Sequence, residues 1–116
     1  IKPFIVGDDV RRYRIDHSDK FILLVKSGTN IANYPAIHNH LMQFKDRLEE
    51  RYDKGDSWFD LRACDYYNDF VNQKIVYPVI AKEPRFAIDI GGEYFFNDKA
   101  FMIPNGTLSI LAILNS

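Results

Sequence analysis

The chain has 116 residues, 47% of them hydrophobic, with 15 basic side chains against 16 acidic ones and a formal charge of -1. That length is one domain by the usual size of a folded unit, and that apolar content is ample for a packed core, which excludes a disordered segment. The charge balance argues against a uniformly basic surface, the lone Cys64 allows no internal disulfide and points to a reduced, cytoplasmic setting, and no apolar run has the length of a membrane span or follows a basic leader.

In chain order, IKPFIV reads as extended, Gly7 as a turn, and Asp8 or Asp9 as the cap of a helical turn running through Tyr13. FILLVK, after the polar HSDK turn, is a short continuous apolar run and predicts a strand buried on both faces. Past SGTN, Pro35 stands at a first helical position, and Ile37, Leu41, Phe44 and Leu48 follow at helical spacing, so one amphipathic helix is predicted over about 35–52, ended by Asp53-Lys54-Gly55. In SWFDLRACDYYNDF, aromatic residues sit among polar ones without forming a stripe, a composition open to two readings, cover for a small core or packing combined with contact duty. From Ile75 onward KIVYPVIA, RFAIDI, EYFFN and AFMIP are β-type runs separated by Glu83-Pro84, Gly91-Gly92 and Asn97-Asp98, the turn chemistry of an antiparallel meander. A further helix starts after the turn at Pro104 to Gly106. The predicted class is α+β, a small antiparallel or mixed sheet with one main amphipathic helix. The chain opens on Ile1 and stops just after that last helix begins, so we expect a domain cut from a longer polypeptide.

Few side chains are arranged for chemistry. His38 and His40 are two residues apart on the predicted helix and project about 200° from one another, whereas a helical metal pair needs a spacing near four. Gly91-Gly92 lies between strands and is no phosphate cradle. Cys64 has no base placed near it by the sequence. Charge is locally uneven: residues 1–30 hold six basic groups against four acids, and residues 31–60 hold four against six. Arg11, Arg12 and Arg14, with Tyr13 between them, form a basic and aromatic cluster whose guanidinium groups suit phosphate, though Asp8, Asp9 and Asp16 are at hand as salt-bridge partners.

The order of motifs carries more information than any one of them. GDDVRRY, YPAIHNHLMQFKDRLEERYDKGDSWFDLR, FVNQKIVYPVIAKEPRFAID, EYFFNDKAFMI and LAILNS, in that order, resemble the TaqI-like C-terminal specificity domain, the target recognition domain of adenine-specific DNA methyltransferases and of fused type IIG restriction-modification enzymes. The resemblance covers nearly the whole chain. It implies a single target recognition domain over residues 1–116, with double-stranded DNA as partner and a methyltransferase domain of the same prokaryotic polypeptide alongside. S-adenosylmethionine, and Mg²⁺ where a nuclease is fused, are implied for that larger protein and no cofactor for this part. The chain carries no Asn-Pro-Pro-Tyr-type tetrapeptide and no nuclease-like Asp…Glu-x-Lys cluster, so it is expected to be catalytically silent alone.

Phosphate contacts position such a domain and base contacts specify the sequence. For phosphate we expect Arg11, Arg12, Arg14 and Lys74. For base readout we expect Asn68, Lys82 and Arg85, because amide and long cationic side chains at strand ends reach base edges. Arg62, Tyr66 and Tyr67 are expected at the DNA-facing rim. The competing readings are a protein-interaction module, which near-neutral charge favours, and a small-molecule enzyme, which the missing catalytic constellation disfavours.

Overall fold

A computed structural model describes all of residues 1–116. The chain divides into two compact units, one formed by residues 1–23 with 65–116 and the other by residues 24–64.

The first unit is built on a three-stranded antiparallel sheet. Its central strand β5 (Lys74–Pro78) is flanked by β6 (Ala87–Asp89) and β7 (Ala100–Pro104). Lys74, Ile75 and Val76 of β5 are all fully buried, as a strand covered on both faces requires. Val76 pairs with Ala87 on one side and Met102 on the other, and Val76 and Ala87 join Ile5, Val10 and Ala100 in the core. The opposite face carries a row of rings. Tyr77 lies 5.1 Å from Phe86 and 5.6 Å from Phe101, its direct cross-strand partner.

Two short antiparallel pairs complete the β structure. β1 (Lys2–Phe4) pairs with β4 (Lys20–Ile22), and β2 (Val10–Arg11) pairs with β3 (Arg14–Ile15). Between β1 and β2, Gly7–Asp9 form one 3₁₀ turn, tightened by the Asp9 carboxylate, which accepts the Val6 N–H at 2.9 Å. The helical turn expected through Tyr13 is therefore replaced by a hairpin. FILLVK is likewise shortened to a strand with an open face, on which Phe21 is 59% exposed.

The meander is also modified. EYFFN forms no third hairpin strand. Phe95 makes a single parallel bridge to Phe4, donating its N–H to the Pro3 carbonyl and accepting that of Ile5, both at 2.9 Å. The chain thereby crosses the molecule before β7 returns on the far side of β5. Its direction is set at Asp89, whose carboxylate accepts the N–H groups of Glu93 and Tyr94 at 3.1 and 2.9 Å, around a Gly92 with φ +63°. A Cβ at Gly92 would run into the Val71 carbonyl, so glycine is required there on two counts.

Helix α3 (Tyr67–Phe70) precedes β5 and drives Phe70 into a stack on Phe95, with centroids 4.8 Å apart, while Phe96 meets it edge-on at 4.9 Å. Much of the aromatic crowding seen in the sequence is thus core packing, and Tyr66, stacked at 6.2 Å on Phe70, is its exposed outer end. Helix α4 (Leu108–Leu114) starts where the Pro104–Gly106 turn predicts. The Thr107 hydroxyl caps it by accepting the Ile110 N–H.

The second unit holds helices α1 (Pro35–Met42) and α2 (Lys45–Glu49), not one continuous helix. Pro35 opens α1 as predicted. At Gln43 and Phe44 the ladder tightens to bonds three residues back, onto His40 and Leu41, and Phe44 leaves helical geometry at φ -112°, ψ 11°. Ile37, Leu41 and Leu48 stay half-buried while Phe44 is turned outward. Arg51 closes the unit by donating to the carbonyls of Leu48, Trp58 and Asp60 at 2.9–3.2 Å. Trp58 packs edge-on to Phe59 at 5.3 Å, with the Lys45 ammonium 5.8 Å from its ring centre.

Candidate nucleic-acid interface

The sequence RRYR becomes the tip of the β2–β3 hairpin. Arg11 and Arg14 are direct cross-strand partners and Arg12-Tyr13 form the turn. Like charges set opposite one another across an antiparallel pair are unfavourable. The hairpin offsets only one of them: Arg14 donates through Nε to both oxygens of Asp16, at 3.0 and 3.2 Å, in an exposed pair. Arg11 is exposed and meets no acid. Arg12 donates from Nη2 to the Asn115 carbonyl, and its guanidinium lies 5.9 Å from the centre of the Tyr13 ring. Asp8 and Asp9, the sequence's other candidate partners, make no ion pair with these arginines: Asp9 is buried on the Val6 N–H and the Ser18 hydroxyl.

The hairpin is held at its base by Arg85. Its Nε donates to the Val10 carbonyl at 2.9 Å and an Nη to that of Asp8 at 3.3 Å, while the Tyr13 N–H reaches the Phe86 carbonyl at 2.9 Å. Sequence reasoning expected the Arg85 fork to be free for a base edge. The fold spends two of its donors on main-chain carbonyls, so Arg85 supports the arginine hairpin from behind. Lys82 is exposed in the loop between β5 and β6. That loop and the β1–β2 turn border a cleft of about 310 Å³ lined by Val6, Asp8, Val79, Ile80, Asp98 and Lys99.

The assignment of Lys74 to phosphate is corrected. Its side chain is fully buried, and its ammonium donates at 2.6 Å both to Asp89 Oδ2 and to the Phe70 carbonyl. Burial lowers its pKa, against the opposing hydrogen bond and charge of Asp89. The register explains the placement. Lys74 is the first residue of the central strand, directly opposite Asp89, and the α3 turn and the edge strands close over it.

The other expected contacts fall elsewhere. Asn68 and Tyr66 are exposed at α3, and Tyr67 is half-buried beside them. Because α3 precedes the start of β5 whereas Lys82 and Arg85 follow its end, the expected readers lie at opposite ends of the sheet. Arg62 belongs to the 24–64 unit and lies 3.7 Å from Asp53 in an exposed pair. Two further residues take part to which the sequence had assigned no role of their own. Asn115, fully buried, bonds both main-chain groups of Phe86, and Tyr13 sits in the left-handed region at φ 66°. Neither carries a sequence signal: the residue that normally marks a positive φ is glycine.

What the fold and this site define is an α+β module that presents an arginine-rich hairpin beside its sheet. No helix in it is long and apolar enough to cross a membrane. The chain belongs to the TaqI-like C-terminal specificity domain family, whose model matches residues 2–116, in agreement with the motif order read from the sequence. It is also 28% identical over 102 residues to the type II methyltransferase M.MjaIV of Methanocaldococcus jannaschii, in an alignment covering 80% of this chain and 34% of that protein. The chain thus spans about a third of the length of this curated relative.

Proposed function

We propose that this chain is the sequence-recognition domain, for double-stranded DNA, of a type II restriction-modification methyltransferase that acts on the adenine N6 amino group, with a type IIG arrangement. Membership of the specificity-domain family over residues 2–116 carries this reading, and the relation to a type II methyltransferase supports it. In that larger protein a separate methyltransferase domain, the partner of this one, would bind S-adenosylmethionine and supply the transferred methyl group. Mg²⁺ would be needed only where a nuclease is fused. No residue of this chain is assigned to either cofactor. The setting we propose is the prokaryotic cytoplasm, consistent with an archaeal relative and a single cysteine.

In this reading Arg11, Arg12 and Arg14 neutralise phosphates, with Arg11 the most available of the three. Lys82 and Asn68 reach base edges from the two ends of the sheet, and Arg62, Tyr66 and Tyr67 form rim contacts. Arg85 holds the hairpin in place.

Binding by the chain alone is weak, with phosphate contacts giving a Kd of order 10⁻⁴ to 10⁻⁶ M and base contacts adding a preference among sequences. With about three phosphates neutralised, log K falls against log salt with a slope of roughly -3, and Arg11→Ala flattens it by about one unit. Fluorescence anisotropy with a labelled duplex across a salt series measures both. No binding at low ionic strength would reject DNA recognition and favour the protein-interaction module, for which the exposed Leu108, Ile110 and Ile113 of α4 offer an apolar surface.

A further inference from the structure

We infer that Tyr13, at the tip of the β2–β3 hairpin, is a specificity-determining residue that reads base edges in the major groove, an inference that rests on the DNA-recognition reading above. Tyr13 contributes little to the core. The residue is 53% exposed, and its hydroxyl makes no hydrogen bond within the chain. Its backbone is nevertheless held at φ 66°, a conformation that glycine adopts freely and that a side chain with a Cβ resists. A bulky aromatic at an exposed turn position that favours glycine calls for a reason outside folding.

The surroundings supply that reason. The turn is fixed by the Tyr13 N–H on the Phe86 carbonyl and by Arg85 on Val10 and Asp8. Arg12, anchored on the Asn115 carbonyl, lies near the Tyr13 ring and limits its freedom. The backbone that carries the hydroxyl and the exposed ring is therefore already ordered, which lowers the entropy lost on binding. A two-stranded ribbon is one of the shapes that the major groove admits. With the tip inserted, Arg11 and Arg14 stand behind it, where their like-charge opposition is relieved by backbone phosphates. The phenol offers a donor and an acceptor to base edges and an apolar ring edge to a thymine methyl group.

The test compares the wild-type chain with Tyr13→Gly, Tyr13→Phe and Arg11→Ala. Each is incubated with a pool of randomised duplexes at low ionic strength, and the retained fraction is sequenced alongside a salt titration. Glycine suits the positive φ, so Tyr13→Gly keeps a melting temperature at or above that of the wild type, and loss of function cannot be put down to unfolding. The expected result is a wild-type motif that loses roughly tenfold or more of its preference at one or two positions in Tyr13→Gly, with the salt slope unchanged. Tyr13→Phe falls between them, and Arg11→Ala keeps the motif while flattening the slope. An unchanged motif in Tyr13→Gly overturns the assignment. Salt-dependent wild-type binding that enriches no motif also overturns it but leaves DNA binding standing, whereas no binding of any duplex by the wild type removes the functional reading itself.

Discussion

Replacing Lys74 with methionine is expected to destabilise the domain by about 3–5 kcal/mol, the usual cost of stranding one member of a buried ion pair. The Asp89 carboxylate would remain enclosed with its charge uncompensated, and the Phe70 carbonyl would lose its donor. Asp89 is also the acceptor that shapes the Gly91–Gly92 turn, so its loss of balance reaches the crossing to Phe95. Urea denaturation followed by circular dichroism measures the effect. Lys74→Met combined with Asp89→Asn should recover part of it, because the amide removes the charge and keeps one of the turn's two acceptors. The pH dependence has a definite sign. Burial lowers the folded pKa of Lys74 below its ordinary 10.5, so the unfolded chain binds this proton more readily. The contribution of Lys74 to stability is therefore complete above pH 10.5 and declines as pH falls through the lowered folded value, a component that Lys74→Met lacks. The same variant also checks the corrected assignment. If Lys74 gripped a phosphate, its loss would flatten the salt slope of DNA binding by about one unit, whereas a buried ammonium leaves the slope of the folded protein unchanged.

Asn115→Ala is expected to cost about 2–4 kcal/mol, since the Phe86 N–H loses its acceptor, the Phe86 carbonyl loses one of its two donors and buried volume is emptied. The side chain accepts the Phe86 N–H at 3.0 Å and donates to the Phe86 carbonyl at 2.8 Å, a two-way bond that fastens the end of α4 to the strand leading into β6. That carbonyl also receives the Tyr13 N–H, and the carbonyl of Asn115 receives Arg12. The substitution should thus loosen the hairpin as well as the helix. Hydrogen exchange reports this directly: the amides of Tyr13 and Phe86 should lose protection together. Normal protection at Tyr13 with loss confined to α4 would show that the hairpin stands independently of the helix end. Asn115→Asp is a sharper comparison, because a carboxylate still accepts from Phe86 N–H but faces the Phe86 carbonyl with no donor.

Some of this could be read in the sequence because it rests on local chemistry. Pro35 opens a helix and the β-type run KIVYPVIA contains a strand, although the strand expected to be buried on both faces was FILLVK. The Pro104–Gly106 turn leads to α4, and the colinear motifs identify the family. In each case the deciding interactions lie within a few residues or within a pattern of side-chain types. The break between α1 and α2 could not be read in the same way, because Ile37, Leu41 and Leu48 keep helical spacing across it and neither glycine nor proline marks it.

Lys74 shows the clearest division between the two kinds of information. As a residue type it reads as a surface cation, and nothing within ten positions contradicts that reading. Its charge partner is 15 residues away and meets it only because β6 folds back in the register that sets Lys74 opposite Asp89. Arg85 is similar, a long cation after a proline turn whose two acceptors lie 75 and 77 residues away. The sequence by itself determined the α+β class, the family and the composition of the arginine cluster, since these follow from residue type and order. Only the tertiary structure decided which cations face solvent, because whether a charge is paired and buried or left for a ligand depends on strand register and on contacts between distant segments, and no local pattern encodes them.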